Sequence, residues 1–315
     1  MHYVILGGAG FVGSHLTARL LQDNHEVTSV DTLVSGTRKH IQEFLANPNF
    51  IFLNLDVTHS AELRKVIREE STVIHLASNP DIAAAATSPR IDFTNGTVIT
   101  ESALEATRLS GAKNFIYASG SGVYRENYTE SIEEDFPVGP ISTYGASKLA
   151  GESLASAYSF MFGIRVSVLR FANVVGPHQT HGVGYDFLRK LKEDSSKLIV
   201  RGDGNQRKAY IHVIDVVTAM LTANKEQKLD FDTFNVSVPD SITVKDIAAL
   251  SIHAAGLRLE DVEVFYEKSN RGWIGDVPIV SLNSNKLRAL GWRSTMNSTE
   301  AIADSLSSMW GEITT

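Results

Sequence analysis

The chain has no cysteine among its 315 residues. That absence removes disulfides, thiolate zinc sites, iron–sulfur clusters and thiol nucleophiles together. No apolar run approaches the ~18 residues that a membrane span needs. Basic residues are not in excess: 29 Lys and Arg against 36 Asp and Glu leave a net charge of −7. A chain of that sign repels phosphate backbones, which argues against nucleic acid as a partner. There is no internal repeat and no low-complexity segment. HExxH is absent, and His178 and His181 lie in a glycine-rich loop with no acidic partner at ligand spacing, so no metal site is expected. The opening residues, MHYVILGGAGFVG, lack a basic start and a small-residue cleavage site. The expectation is a folded segment rather than a signal peptide, and a cytoplasmic protein.

What is present is an ordinary globular composition, 43% apolar and 21% charged, long enough for about two domains of ~150 residues. Short apolar runs read as strands at His2–Leu6, Glu26–Asp31, Asn49–Leu53, Thr72–Leu76, Asn114–Tyr117 and Arg165–Arg170. Helical spacing lies between them at Phe11–Gln22, Ala61–Glu69, Asn95–Leu109 and Thr143–Phe162. Alternation of this kind predicts a parallel sheet covered on both faces. After Asn173 the pattern loosens. It becomes regular again over Lys208–Asn224 and Phe231–Val238, in a helix after Ser241, and in a last helix from Ser298 to about Trp310. The reading is an α/β fold, a doubly wound parallel sheet of Rossmann type with a smaller interleaved C-terminal α/β domain. Residues 1–172, with returns near 208–240, form the nucleotide-binding part. Residues 173–207 and 241–315 form the substrate part.

Gly8-x-Gly10-x-x-Gly13 follows the first strand and opens the first helix, and Gly7 adds a second phase. One glycine permits a tight turn, one lets backbone approach a pyrophosphate, and one lets helix and strand pack closely. The helix N-terminus then offers N–H groups and a positive dipole end. Asp31 ends the second strand, 18 residues past Gly13. A carboxylate there accepts hydrogen bonds from a ribose 2′-hydroxyl and repels a 2′-phosphate, which favours NAD over NADP. Farther along, Tyr144 and Lys148 stand four apart, on one face of a helix. A cation beside a phenol favours the phenolate, lowers the tyrosine pKa and suits it to acid–base work near neutral pH.

These segments together resemble the extended short-chain dehydrogenase/reductases, in the NAD-dependent sugar epimerase/dehydratase group, and most of all proteins of the UDP-glucose 4-epimerase type. The resemblance is carried by GGAGFVG at Gly7–Gly13, VDTLVSG at Val30–Gly36, LDV at Leu55–Val57, HLASNPD at His75–Asp81, Asn95-Gly-Thr, and YGASK at Tyr144–Lys148. It continues through RFANVVGP at Arg170–Pro177, GDGNQRKAYIHV at Gly202–Val213 and GDVP at Gly275–Pro278. The order is the family's, and nearly the whole chain is covered.

The resemblance implies roles. Gly7, Gly10, Phe11, Val12 and Gly13 would hold the pyrophosphate of NAD, and Asp31 the adenosine ribose, flanked by Thr32, Leu33, Ser35 and Gly36. Asp56 and Val57 would lie at the adenine. Leu76, Ala77, Ser78, Asn95, Ser119 and Ala172 would line the cofactor's path. Tyr144 would be the catalytic acid and base, with Lys148 on the nicotinamide ribose. Asn173, Lys208 and Arg271 would contact the diphosphate of a UDP-sugar, with the strand Ile199–Arg201 beside its base. The helices beginning near Asn95 and Tyr144 would pair with a second subunit in a homodimer.

The chain departs from the pattern in three places. The family's hydroxyl three residues before Val-Tyr falls on Gly120; either a flanking serine, Ser119 or Ser121, or a water takes over its hydrogen bond in catalysis, or catalysis is weakened. The two positions where sugar dehydratases of the family carry Asp-Glu hold Ser121 and Gly122, which argues against dehydration. Lys208 and Trp273 stand where arginines are usual, with Arg271 two residues before the latter; lysine keeps the charge without the bidentate fork. Three readings follow. The first is a UDP-hexose 4-epimerase with no net redox change. The second is a net dehydrogenase or reductase on the same scaffold, which would change NADH stoichiometrically. The third is a non-catalytic NAD-binding protein, against which the intact Tyr144 and Lys148 argue.

Overall fold

The computed structural model describes residues 1–80, 85, 87–125, 131–267 and 279–314. Its strands are β1 (His2–Leu6), β2 (Glu26–Asp31), β3 (Phe50–Asn54), β4 (Thr72–His75), β5 (Asn114–Gly120), β6 (Arg165–Phe171) and β7 (Asn173–Val175). They continue as β8 (Lys197–Val200), β9 (Arg207–Lys208), β10 (Tyr210–His212), β11 (Phe231–Val236), β12 (Ile242–Thr243), β13 (Glu263–Tyr266) and β14 (Ile279–Val280). The α-helices are α1 (Phe11–Gln22), α2 (Ser60–Arg64), α3 (Arg90–Asp92), α4 (Ile99–Leu109), α5 (Thr143–Phe162), α6 (Val183–Glu193), α7 (Val213–Glu226), α8 (Val244–Ala254), α9 (Asn285–Ala289) and α10 (Ser298–Thr314).

Seven strands form one sheet in the order β11-β6-β5-β4-β1-β2-β3, and every pairing in it is parallel. The expected doubly wound parallel sheet is therefore what the chain builds. Its central strands β1 and β4 are buried at every position because helices cover both faces. Along β1 the two faces alternate: Tyr3 and Ile5 join one cluster with Leu16 and Leu20 of α1 and Val217 and Met220 of α7. Val4 and Leu6 join the other with Leu104 of α4 and Ala155 of α5. The chain runs outward from β1 to β3, then restarts at β4 on the other side of β1. The carboxyl ends of β1 and β4 therefore flank the switch point where ligands bind in sheets of this kind.

The late return to this sheet is α7 and β11; β9 and β10 pair elsewhere, with β12 and β14, and with β7. A third apolar cluster joins α6, α8 and α10, including Leu188, Ile247, Ile302 and Leu306, with Leu198 and Val200 of β8. Among the described residues, no helix is long and apolar enough to cross a membrane.

Two helices differ from the sequence expectation. The helix expected over Ala61–Glu69 ends at Arg64, because the Ser71 hydroxyl accepts the Arg68 N–H at 2.8 Å and draws the chain into a turn. The helix expected from Asn95 begins instead as a π-helical turn over Phe93–Val98, with Asn95 off helical geometry (φ −95°, ψ 16°). That break lets the Asn95 carbonyl accept the Asn79 N–H at 3.1 Å.

Candidate active site

The glycine turn is built by backbone packing. The Gly7 N–H donates to the Val30 carbonyl at 2.8 Å, and Gly7 sits at φ +87° against the backbone of Ala77. A Cβ at Gly13 would lie 2.2 Å from the Gly7 carbonyl oxygen and 2.7 Å from the Gly8 Cα. Both obstacles are backbone, so the turn itself would have to open. Gly13→Ala is accordingly expected to lower cofactor affinity at least tenfold and to cost ~1–3 kcal/mol of stability; cofactor titration and thermal melts check both.

Gly10 caps α1 without a side chain, and no acidic residue occupies the first turn. The first N–H groups of a helix have no intrahelical partner and carry the positive dipole end, so this turn suits a pyrophosphate. Asp31 ends β2 beside it. One carboxylate oxygen accepts the Ala9 N–H at 3.0 Å and the other the Leu33 N–H at 2.8 Å. Each retains acceptor capacity for a ribose hydroxyl. Burial raises the Asp31 pKa, against the pull of hydrogen bonds from Leu33, Ala9 and Thr32. A Cβ at Gly36 would meet both Asp31 oxygens at 2.8 Å, so glycine keeps that carboxylate uncovered. Turn, helix end and carboxylate fit a dinucleotide.

The remaining predicted cofactor residues gather at the same sheet edge. Thr32, Leu33 and Ser35 follow β2, Asp56 and Val57 follow β3, and Leu76, Ala77 and Ser78 follow β4. Ser119 is the last residue but one of β5 and Ala172 follows β6. Thr58 donates its N–H and hydroxyl to Asp56 at 2.8 and 2.7 Å, which holds that carboxyl below its usual range.

Tyr144 and Lys148 lie in the first turns of α5, whose start is capped by the Ser142 side chain accepting the Gly145 N–H. The Lys148 ammonium is 5.7 Å from the Tyr144 ring centre and donates to the Ala118 carbonyl at 2.8 Å. Burial lowers the Lys148 pKa to about 8, opposed by Glu152. Tyr144 differs from the sequence expectation. Its phenol is not lowered by the protein's own groups but pushed up to about 12, chiefly by burial; the neighbouring Ser78 side chain opposes the rise, and the Asp92 charge adds to it. The four-residue spacing places both side chains on one face, but the ammonium is turned to a carbonyl instead of the phenol oxygen.

The Ser119 hydroxyl donates to Glu152 at 2.5 Å. Glu152 is held by Arg170 through two bonds, at 2.9 and 2.6 Å, with both side chains buried. Arg170 also donates to the Tyr124 hydroxyl at 2.7 Å, which donates to Asn235 at 2.8 Å. This network joins β5, β6, α5 and β11 beneath the site. Ser121 opens the short turn after β5, and its carbonyl accepts the Tyr124 N–H. A Cβ at Gly120 would meet only the Phe171 carbonyl, at 3.8 Å. The missing hydroxyl there is a matter of sequence and not of space.

Of the predicted substrate residues, Asn173 donates to the Ala209 carbonyl at 3.3 Å, Lys208 pairs in β9 with Ile242 and Val280, and Ile199 sits exposed in β8 opposite Phe265. Arg201 is exposed just past β8. Arg271, Trp273 and Gly275–Pro278 lie outside the described residues. His178, set aside above as a metal ligand, stacks on His40 at 4.3 Å between ring centres. Among the described residues, no group of three or more potential ligands is placed to hold a metal.

Sequence reasoning did not single out His75, Asp92 or Glu152. His75 is fully buried under Tyr117, and its Nε2 pairs with the Thr100 hydroxyl at 3.0 Å. Burial, and then the Lys148 charge, lower its pKa to about 3. The folded value lies below the unfolded ~6.5, so at intermediate pH the unfolded chain binds a proton that the folded chain refuses. Stability is therefore expected to fall as pH drops from about 6.5 toward 3. A flatter acid limb in His75→Gln, measured by melts against pH, is the check.

The sequence pattern of the NAD dependent epimerase/dehydratase family matches residues 3–237. A putative UDP-glucose 4-epimerase of Methanocaldococcus jannaschii is 30% identical over 305 residues, 95% of either chain. A crystal structure of a UDP-galactose 4-epimerase superimposes with a TM-score of 0.88 at 36% identity, covering 99% of this chain and 100% of that one. The UDP-glucose 4-epimerase of Thermus thermophilus, solved with NAD, does so with a TM-score of 0.87 at 27% identity and 99% of both chains. Agreement across almost the full length, on a sheet edge shaped for a dinucleotide, means that this chain belongs to the NAD-dependent epimerase/dehydratase family of nucleotide-sugar enzymes.

Proposed function

We propose that the protein is a 4-epimerase of UDP-hexoses, with UDP-glucose and UDP-galactose as its pair. The observation that carries this reading is the placement of Tyr144 and Lys148 at the nucleotide-binding sheet edge, with no acidic pair in the adjacent turn. That turn holds Ser121 and Gly122, so no side chain there can remove and return the further protons that dehydration requires.

NAD bound along this edge supplies a reversible hydride acceptor for the sugar's C4. The protein's residues do the rest. Gly7, Gly10 and Gly13, with the N–H groups of Phe11 and Val12, hold the pyrophosphate, and Asp31 holds the adenosine ribose. Tyr144 accepts the proton of the sugar 4-hydroxyl as C4 becomes a ketone, and returns it when C4 is reduced on its other face. At about 12 the phenol is too weak an acid to start as phenolate at neutral pH. The reading requires the Lys148 ammonium to turn from the Ala118 carbonyl to the ribose and phenol, and the nicotinamide's positive charge to add to it, both lowering that value. Asn173, Lys208 and Arg271 anchor the diphosphate while the keto sugar turns over. The smaller α/β region of 173–207 and 241–315 is the substrate side of the cleft.

The test is proton NMR of UDP-glucose with the protein and a trace of NAD⁺. New UDP-galactose with no accumulating NADH is the expected result. NADH rising in step with sugar loss would move the assignment to a net dehydrogenase.

The working form is a homodimer in this reading. Phe93, beside the start of α5, and Phe160 and Met161, at its far end, are exposed at 56, 93 and 66%, apolar side chains that a second copy would cover. Light scattering should give twice the chain mass of 34.4 kDa, and Phe160→Glu should lower it toward one chain.

A further inference from the structure

The loop after β4 and the start of α5 come from distant parts of the chain, yet one buried carboxylate ties them together. Asp92, 1% exposed, accepts the Asn79 side-chain amide at 2.9 Å on one oxygen and the Thr143 hydroxyl at 2.7 Å on the other. Asn79 is the neighbour of Ser78, and Thr143 is the neighbour of Tyr144. The Asn79 N–H also donates to the Asn95 carbonyl at 3.1 Å, where the π turn breaks the helix. The chain is thus pinned at the residue adjoining each member of the Ser78–Tyr144 pair.

The two positions before Ser121 do not offer the same bond. Ser119 gives its proton to Glu152, and position 120 has none. The Ser78 side chain lies beside the Tyr144 phenol and opposes the rise in its pKa.

We infer that Asp92 is a positioning residue: by bridging Asn79 and Thr143 it keeps the Ser78 hydroxyl beside the Tyr144 phenol, so that Ser78 supplies the ionising phenol with the hydrogen bond that the residue-120 position lacks. The inference rests on Tyr144 being the acid–base group. When the phenol ionises, the Ser78 proton stabilises the phenolate; without the clamp the segment carrying Ser78 loses its tie to the start of α5.

The experiment titrates Tyr144 in the NAD⁺-loaded protein by tyrosinate absorbance from about pH 6 to about pH 11, subtracting the matched Tyr144→Phe protein. No sugar is needed, so the result does not depend on which substrate is correct. Ser78→Ala should move the Tyr144 transition upward by about one unit, the scale of one hydrogen bond to a charged group. Thr143→Val, which cuts one arm of the clamp, should move it in the same direction, and Thr143→Ser should restore it. In the double variant Ser78→Ala/Thr143→Val the shift should be no larger than with Ser78→Ala alone, because both act through one bond. An unchanged Tyr144 titration in Ser78→Ala, or additive shifts in the double variant, would overturn the inference.

Discussion

Tyr144→Phe lowers sugar turnover by about 10²–10⁴-fold, the range for removing a positioned general acid–base group, while the fold and NAD affinity persist. The change deletes one oxygen at the sheet edge. The cap of α5 depends on Ser142 and Gly145, and the Lys148 bond runs to Ala118, so neither loses a partner. The loss should fall on kcat with little change in KM, since the phenol acts on the reacting hydroxyl and not on the nucleotide. Steady-state rates beside a thermal melt and an NAD titration check it. A variant that keeps most of its turnover would remove Tyr144 from the chemistry and leave Lys148 without its proposed purpose.

The second large effect is on stability. Arg170→Met should destabilise the fold by about 3–5 kcal/mol, because it strands the buried Glu152 carboxylate. It also removes the donor to the Tyr124 hydroxyl and the bond from Arg170 to the Glu134 carbonyl at 3.0 Å. Replacing both members, as Arg170→Met/Glu152→Leu, should recover much of the loss, because the cost comes from an unpaired buried charge rather than from the absence of the pair. Chemical denaturation of the three proteins measures this. Equal losses in single and double variants would mean that packing, not charge, sets the cost.

Much of the nucleotide half was legible in the sequence because its signals are local. Apolar runs ended by glycines mark β1, and the expected bounds of α1 and α5 are those the structure has. The glycine turn and Asp31 were legible for the same reason: spacing alone determines which backbone must pass close to which. The features that were not legible depend on contacts between distant segments. Nothing in Arg90-Ile-Asp announces that Asp92 will be buried between residues 79 and 143. The break at Asn95 answers to Asn79, and the early end of α2 to Ser71.

Glu152 did leave a trace. It stands four residues past Lys148 and eight past Tyr144, on the inward face of α5, and a charge on such a face implies a buried partner. The Tyr144 pKa was misjudged because helical spacing brings two side chains to one face without saying where the lysine's ammonium points. Here it points to a carbonyl, and burial governs the phenol.

The most direct test of the proposed chemistry follows the hydrogen at C4. UDP-galactose deuterated at C4 is mixed with unlabelled substrate and catalytic protein, and the UDP-glucose formed is analysed by mass spectrometry and NMR. A 4-epimerase working through one tightly held cofactor should return deuterium to C4 of the product, with none lost to water and no rise in NADH absorbance. Deuterium appearing in released NADH, or exchanged for solvent hydrogen, would contradict a hydride that leaves and re-enters the same site.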